Sequence, residues 1–177
     1  AIGISPEDYI DTLGWAMVNP QQPQMISPEE SPCFENVQDE VDITKLPIPH
    51  HWPQDRGRYV SASVIIAADN GVRNMSFHLQ FVRDKNHLVV RLVTRHVRTM
   101  VMAARERGRK VKIAIVNAPD PVVLLAAAMS FDDNVDELTI AATLHQKLYG
   151  TPLNLTTMPN GIVAPANSEY VMWGNIT

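Results

Sequence analysis

Residues 74–82 read Asn-Met-Ser-Phe-His-Leu-Gln-Phe-Val, and polar and apolar side chains alternate along them. Successive side chains of a β-strand point to opposite faces of the sheet, so the alternation predicts a strand. Its polar face carries the even positions from Asn74 to Gln80. Its apolar face carries the odd positions from Met75 to Phe81, and this alternation favours Leu79 as a packing residue.

The flanking sequence extends this strand into an antiparallel meander. The stretch Asp69-Asn70-Gly71 is typical of a tight turn, and the Val- and Ile-rich residues 58–68 before it predict a partner strand. Residues 83–86 turn the chain again, and residues 87–93 predict a returning strand.

Helical and strand patterns alternate in the second half of the chain. Helices are predicted over residues 97–108, 120–129 and 135–149, the last with Asp133 and Asn134 as caps, and strands over 111–116, 153–157 and 169–176. A meander followed by mixed helices and strands predicts an α+β domain whose strands curl into a barrel.

The first fifty residues predict a helix followed by an extended arm. Ser5-Pro6-Glu7-Asp8 is typical of a helix start, and the helix is expected to end near Val18. A Pro- and Gln-rich connector follows, and prolines 47, 49 and 53 favour an extended conformation after it. We predict one domain over residues 1–177, with residues 1–50 forming the helix and the Pro-rich arm.

Composition excludes several functional classes. The chain has 177 residues, 45% of them hydrophobic and 19% charged, as expected for one soluble globular domain. Its net charge of −4 argues against nucleic-acid binding, and the basic run at residues 91–112 is interpreted as a solvated helix face. A single cysteine, no long apolar run and no signal peptide predict a cytoplasmic protein that does not enter the membrane.

Three dispersed residues can form a site for a hard divalent cation. Asn74 offers an amide oxygen, His96 an imidazole nitrogen and Glu137 a carboxylate, a mixture that suits Mg²⁺ or Mn²⁺ better than structural zinc. Sequence spacing alone does not join these positions. The alternative is a strand-start Asn, a solvent-facing His and a first-turn helix Glu.

Short motifs distributed along the chain match one enzyme family in their order. They are Asp42-Ile43-Thr44-Lys45-Leu46-Pro47-Ile48-Pro49, Asp55-Arg56-Gly57-Arg58-Tyr59, Asn74-Met75-Ser76-Phe77-His78, Asp84-Lys85-Asn86-His87-Leu88, Arg95-His96, Leu125-Ala126-Ala127-Ala128-Met129, Val135-Asp136-Glu137-Leu138, and Val163-Ala164-Pro165-Ala166 with Ser168-Glu169. Together they resemble the UbiD family of decarboxylases over nearly the whole chain from about Ile4.

The resemblance implies a fold, a cofactor and site residues. The expected fold is an antiparallel split β-barrel of the flavin-reductase type with flanking helices. The expected cofactor is prenylated FMN, with its phosphate held through Mn²⁺ or Mg²⁺ and with K⁺ nearby. Metal ligands would be Asn74, His96 and Glu137, and cofactor contacts would be Ser76, Phe77, His78, Arg95, Ala127, Ala128 and Met129.

Two positions depart from the family pattern. The family places a catalytic Arg five residues after the ligand Asn, where this chain has Leu79, and a Glu where it has Trp173. Leu cannot donate a hydrogen bond or carry charge. The family's pair of catalytic Glu residues would follow Thr177, and the chain is less than half the length of a typical member.

The catalytic candidates that remain are His78 and Glu169. His78 shares the polar face with Asn74 and can act as a base near neutral pH, although a packing role competes with that reading. Glu169 can act as an acid.

Three functional hypotheses follow from the resemblance and its departures. The first is a UbiD-lineage protein with a metal and flavin-phosphate half-site. It would act on an aromatic or α,β-unsaturated acid once a homo-oligomeric partner, a complementing UbiD-type subunit or a further domain completes it. The second is a stand-alone domain repurposed as a cyclase, an isomerase or a ligand-binding protein. The third is a non-catalytic subunit.

Overall fold

The computed structural model describes residues 3–132 and 135–177. Within them the helices are α1 Tyr9–Val18, α2 His96–Glu106, α3 Pro121–Ala128 and α4 Glu137–Tyr149. The strands are β1 Gln24–Met25, β2 Tyr59–Val60, β3 Val64–Asp69, β4 Val72–Phe77, β5 Gln80–Val82, β6 Leu88–Val90, β7 Val111–Asn117, β8 Asn154–Thr157, β9 Val163–Pro165 and β10 Tyr170–Ile176.

The described strands form three sheets. The largest has the order β10-β7-β3-β4 and is antiparallel throughout, and the others have the orders β1-β8-β9 and β2-β5-β6. None of these pairings closes a sheet on itself within residues 3–132 and 135–177. The predicted α+β class is confirmed, and the split barrel stays a prediction.

The stretch that was predicted as one strand is divided between two sheets. β4 ends at Phe77 in the large sheet, and β5 begins at Gln80 in the small sheet. The partner segment is divided at the same place into β2 and β3. The pairing of β3 with β4 ends at Val64–Phe77, and the pairing of β2 with β5 begins at Val60–Gln80. Three residues, 61–63, therefore oppose two, 78–79. One extra residue on one strand of a pair bends both strands, and here it produces a corner.

This corner overturns the predicted packing role of Leu79. The Leu79 side chain is 60% exposed and Phe77 is 39% exposed, whereas Met75 is 1% exposed. The alternation predicts the burial of Met75 correctly because Met75 lies within β4. It fails at Leu79 because the chain has left the sheet there.

Helices cover both faces of the large sheet. Val64 and Ile66 of β3 pack with Ala126 of α3 and Leu138 of α4. On the opposite face, Ile65 and Ala67 pack with the apolar stripe of α2, which consists of Val97, Val101 and Ala104. Because β4 is an edge strand of this sheet, the amino ends of α2 and α4 can both approach it.

The amino-terminal region is less extended than predicted. α1 begins at Tyr9 after a turn, not directly after Ser5, and it packs on α4 through Ala16. β1 pairs in parallel with β8, and Ile43–Lys45 forms a 3₁₀ turn that buries Ile43 where an extended arm was predicted.

Two further observations concern helices. Asp136 is the cap of α4, with its side chain accepting a hydrogen bond from the Leu138 N–H, and the predicted caps Asp133 and Asn134 lie outside the described residues.

In the part of the chain that the structure describes, every helix is too short or too polar to cross a bilayer.

Met75→Ala tests the role of β4 in the main core. Met75 is 1% exposed and packs in the main core, so its truncation should lower the free energy of unfolding by about 2–5 kcal/mol. Met102→Ala is the matched control. Met102 is 43% exposed, so its truncation should cost less than about 0.5 kcal/mol in the same urea titrations. Equal losses for the two variants would contradict this account of the core.

Candidate functional site

The structure brings Asn74, His96 and Glu137 together at the edge of the large sheet. Asn74 lies in β4, while His96 and Glu137 are the first residues of α2 and α4. The Asn74 amide nitrogen lies 3.2 Å from His96 Nδ1 and donates to Glu137 Oε1 at 2.5 Å. His96 lies 22 positions and Glu137 lies 63 positions after Asn74 in the sequence, and the fold brings the three residues into one cluster.

Glu137 is buried, and the backbone of β4 holds its carboxylate. The Met75 N–H donates to Oε2 at 3.0 Å, and the residue is 3% exposed. Burial raises the pKa of Glu137 to about 7, and the neighbouring Asp136 charge acts in the same direction. Hydrogen bonds from the Glu137 and Met75 backbones, together with the Arg73 charge, oppose that increase in pKa without offsetting it.

An ion pair flanks this cluster. Arg73 Nε donates to Asp136 Oδ1 at 3.1 Å, and a second guanidinium nitrogen contacts the other carboxylate oxygen. Asp136 and Glu137 thus both attach the start of α4 to β4. Arg73 was not identified as a site residue from the sequence, since no spacing signal pairs it with a residue 63 positions away.

The donors of the cluster fit a hard divalent cation. An amide oxygen, a carboxylate oxygen and an imidazole nitrogen are a mixed set that Mn²⁺ and Mg²⁺ accept. The amide of Asn74 can present either its oxygen or its nitrogen to these neighbours. No group of three His, Cys, Asp or Glu side chains suited to a metal forms within residues 3–132 and 135–177, and the third donor here is the amide. The metal assignment stays a prediction.

The polar face of β4 continues from this cluster to the corner. Ser76 Oγ lies 3.3 Å from Asn74 Oδ1 and 3.0 Å from His78 Nε2, so the three side chains form one hydrogen-bonded series. Burial lowers the pKa of His78, and a hydrogen bond with the Arg91 backbone opposes the shift. The imidazole is therefore favoured in its neutral form.

A buried amide at the corner was not identified as a site residue from the sequence. Gln80 Nε2 donates to Ser63 Oγ at 2.8 Å and to the His78 carbonyl at 3.2 Å. These bonds tie the two strands together where the ladder is interrupted. Alternation did place Gln80 on the polar face with His78, but it gave no reason to single this residue out.

The predicted cofactor residues lie on elements around the cluster. Arg95 precedes α2, and its guanidinium donates to Ser130 Oγ at 3.4 Å, which places it beside the end of the segment Ala127, Ala128 and Met129. Ala127 packs in the same core cluster as Met75. The amino end of α2 has no side-chain cap, and a helix amino end of this kind favours an anion such as a phosphate.

Glu169 is not brought to His78. Trp173 pairs with Ala114, Ala114 with Ile66 and Ile66 with Met75, so β10 lies three strands from β4. At about 4.8 Å per strand, Glu169 is separated from the β4 edge by roughly 14 Å across the sheet. Glu169 is exposed just before β10, and Trp173 is also exposed, at 38%, on that strand.

A family model and the similar proteins of known name are all carboxy-lyases or decarboxylases. The family model described as the 3-octaprenyl-4-hydroxybenzoate carboxy-lyase Rift-related domain (UbiD) matches residues 24–177. An anhydromevalonate phosphate decarboxylase of Methanosarcina mazei is 33% identical over 176 residues, which cover 99% of this chain and 40% of that protein. The enzyme of the same name from Methanothermobacter thermautotrophicus is 42% identical over 108 residues, covering 60% of this chain and 26% of that protein.

A solved structure shares the architecture. An evolved dimeric form of the UbiD-class enzyme HmfF from Pelotomaculum thermopropionicum, in complex with prFMN, superimposes with a TM-score of 0.91 at 32% identity. The match covers 98% of this chain and 41% of the HmfF chain. This chain thus spans less than half the length of these similar proteins.

The raised pKa of Glu137 predicts a pH dependence of stability. In the folded state the pKa is about 7, above the ordinary value of 4.5, so the folded protein binds the extra proton between those pH values. Its contribution to stability is complete below pH 4.5 and is lost as the pH rises through 7. The metal-free protein should therefore lose stability between pH 5 and 8 in urea titrations.

Glu137→Gln supplies the control for this effect. The variant lacks the titrating group, so its unfolding free energy should change less over the same pH range than that of the wild type. Replacing the exposed Glu169 with Gln removes one charge without altering the cluster, and its pH profile should follow the wild type. A wild-type profile that coincides with Glu137→Gln would refute the raised pKa.

Proposed function

The chain belongs to the UbiD family of decarboxylases, and from this membership we propose that residues 1–177 form one domain that holds a flavin phosphate through a divalent metal ion. The split barrel is retained in this proposal as the way the sheets curl around the cofactor. The observation that carries the proposal is the convergence of Asn74, His96 and Glu137 from three separate elements.

Burial of the Glu137 carboxylate is the physical argument for a cation. A buried carboxylate without a compensating charge is costly. Arg73, the nearby guanidinium, is already paired with Asp136. A divalent ion held by Glu137, His96 and the Asn74 amide oxygen would provide the missing positive charge. Mn²⁺ is our first candidate and Mg²⁺ the second, with K⁺ as a further ion nearby.

The cofactor proposed for this site is prenylated FMN. HmfF, of similar architecture, is described in complex with prFMN. Ser76, Phe77, His78, Arg95, Ala127, Ala128 and Met129 are the residues proposed to contact it. Arg95 and the amino end of α2 would attract its phosphate. When bound, the cofactor would supply the chemistry that removes or adds a carboxylate.

We propose that the substrate is a carboxylic acid, aromatic or α,β-unsaturated. Two relatives are named for anhydromevalonate phosphate, so that acid is the first to assay. Neutral His78, hydrogen-bonded to Ser76, would accept or return a proton. The separation of roughly 14 Å across the sheet argues against direct proton exchange between His78 and Glu169.

Complete decarboxylation would require further groups. Leu79 cannot orient a carboxylate as the family's Arg would. We therefore propose that a second copy or a UbiD-type subunit completes the reaction.

The exposure of Leu79 at 60% favours one alternative, a domain repurposed as a cyclase, an isomerase or a ligand-binding protein. A non-catalytic subunit is the remaining hypothesis.

Cofactor uptake tests the half-site. The wild type should bind Mn²⁺ and FMN together, measured by metal analysis and flavin absorbance after gel filtration. Asn74→Ala and Glu137→Gln should each weaken Mn²⁺ binding by roughly 10–100-fold or more, since even outer-shell changes at metal sites have effects of that size. Glu169→Gln should bind as the wild type does. If the wild type takes up neither Mn²⁺ nor FMN or prenylated FMN, the half-site proposal fails.

Leu79→Arg separates the completed decarboxylase from the repurposed domain. The variant would be co-expressed with the remaining part of a UbiD relative and loaded with prenylated FMN. Release of CO₂ from anhydromevalonate phosphate or an aromatic acid should then rise at least tenfold above that of the wild-type chain under the same conditions. Leu79→Met, which keeps an apolar side chain, should give no such increase. Failure of Leu79→Arg with cofactor bound would favour the repurposed domain.

A further inference from the structure

A second cleft lies at the amino end of α3, away from the Ala127–Met129 segment at its other end. Its volume is about 430 Å³, and its walls come from the start of α3, the end of α4 and the β1-β8-β9 sheet. α3 has eight residues, so roughly 12 Å of helix separates this cleft from the Ala127–Met129 segment. Asp120 and His145 are the two ionisable residues in its wall.

The tautomer of His145 is fixed by a backbone carbonyl. His145 Nδ1 lies 2.7 Å from the Thr151 oxygen, and because a carbonyl can only accept, Nδ1 carries the proton. Gly150, with φ of 71°, ends α4 and lets the chain turn back so that Thr151 reaches the ring. In the neutral ring Nε2 is then left with a lone pair.

Asp120 presents a second acceptor to that lone pair. Its Oδ1 accepts from the Val122 N–H at 2.9 Å as the cap of α3, while Oδ2 lies 3.8 Å from His145 Nε2. The Asp120 and His145 side chains are only 20% and 16% exposed. A distance of 3.8 Å is too long for a hydrogen bond, and two acceptors facing each other favour a positive centre between them.

We propose that Asp120 Oδ2 and His145 Nε2 bind a first-row transition metal ion of the Zn²⁺ type. Zinc binds imidazole nitrogen and carboxylate oxygen at about 2.0–2.2 Å in tetrahedral geometry, so two of its donors lie roughly 3.4 Å apart. The observed 3.8 Å between Asp120 Oδ2 and His145 Nε2 needs only a small approach of the two side chains to reach that separation. Histidines that bind metal usually donate their other N–H to a carbonyl or carboxylate, as His145 does to Thr151. An imidazole donor also favours zinc over magnesium.

The remaining coordination positions fall to amides and water. Asn154 and Asn167 line the same cleft and offer amide oxygens. Since no group of three or more His, Cys, Asp or Glu side chains forms a metal cluster in the described part of the chain, only two such ligands meet here. The site should therefore bind more weakly than a structural zinc site with four protein ligands.

Zinc titration in a Glu137→Gln background tests this site separately from the Asn74 cluster. Calorimetry with Zn²⁺ alone should report one equivalent of binding, and imidazole NMR should shift Nε2 of His145 on zinc addition. Adding Asp120→Asn or His145→Gln should weaken binding at least tenfold. Asn remains an effective helix cap, and Gln can still donate to Thr151, so both variants should unfold close to the temperature of the background protein.

An exposed pair provides the matched control. His87 Nδ1 lies 2.8 Å from Asp84 Oδ1 on the surface, so His87→Gln removes a His beside an Asp without touching the cleft. It should leave the zinc equivalent in place. The proposal is overturned if Zn²⁺ does not bind, which would mean that water or a proton joins the pair. It is also overturned if the two cleft variants bind zinc as the background protein does.

Discussion

One carboxylate attaches the edge strand of the large sheet to the helix that covers it. Glu137 accepts the Met75 N–H and the Asn74 amide, so a carboxyl side chain satisfies backbone that an edge strand would otherwise leave to solvent. The bond sets the position of α4 against β4, and Leu138, the next residue, enters the main core beside Met75. The candidate metal cluster is thus also a structural joint, which explains why its carboxylate is buried so completely.

The second constraint is the corner between the sheets. Residues 61–63 lie opposite only residues 78–79, and this mismatch bends the chain from β3 and β4 into the β2-β5-β6 sheet. The buried Gln80 amide bridges the interruption by donating to Ser63. The corner leaves His78 buried and Leu79 exposed, side by side. Alternation placed His78 on the polar face with Asn74, but it predicted neither the burial of His78 nor the exposure of Leu79. Both depend on the mismatch, which is set by how many residues separate pairs on two different strands.

Features of the site that depend on local sequence could be predicted from it, and those that depend on contacts between distant segments could not. The helix that contains Glu137, the helix α2 and the turn at Asn70 are local features, and the sequence indicates each of them. The meeting of Asn74 with His96 and Glu137 depends on packing between elements, so only the family resemblance proposed it. Arg73, Gln80 and the Asp120–His145 pair had neither local nor family signals, and they emerged from contacts between distant segments.

Leu79 gives the site an apolar end, opposite the polar end formed by Asn74 and Ser76. Its exposed apolar surface forgoes about 1–2 kcal/mol that burial would provide, so an apolar ligand or chain that covers the corner gains from the contact. An Arg at this position would favour a carboxylate there, whereas Leu favours a hydrocarbon. The polar series from Asn74 through Ser76 to His78 therefore ends against an apolar residue. In this chain the end proposed to hold the phosphate is polar and buried, and the other end favours an apolar contact.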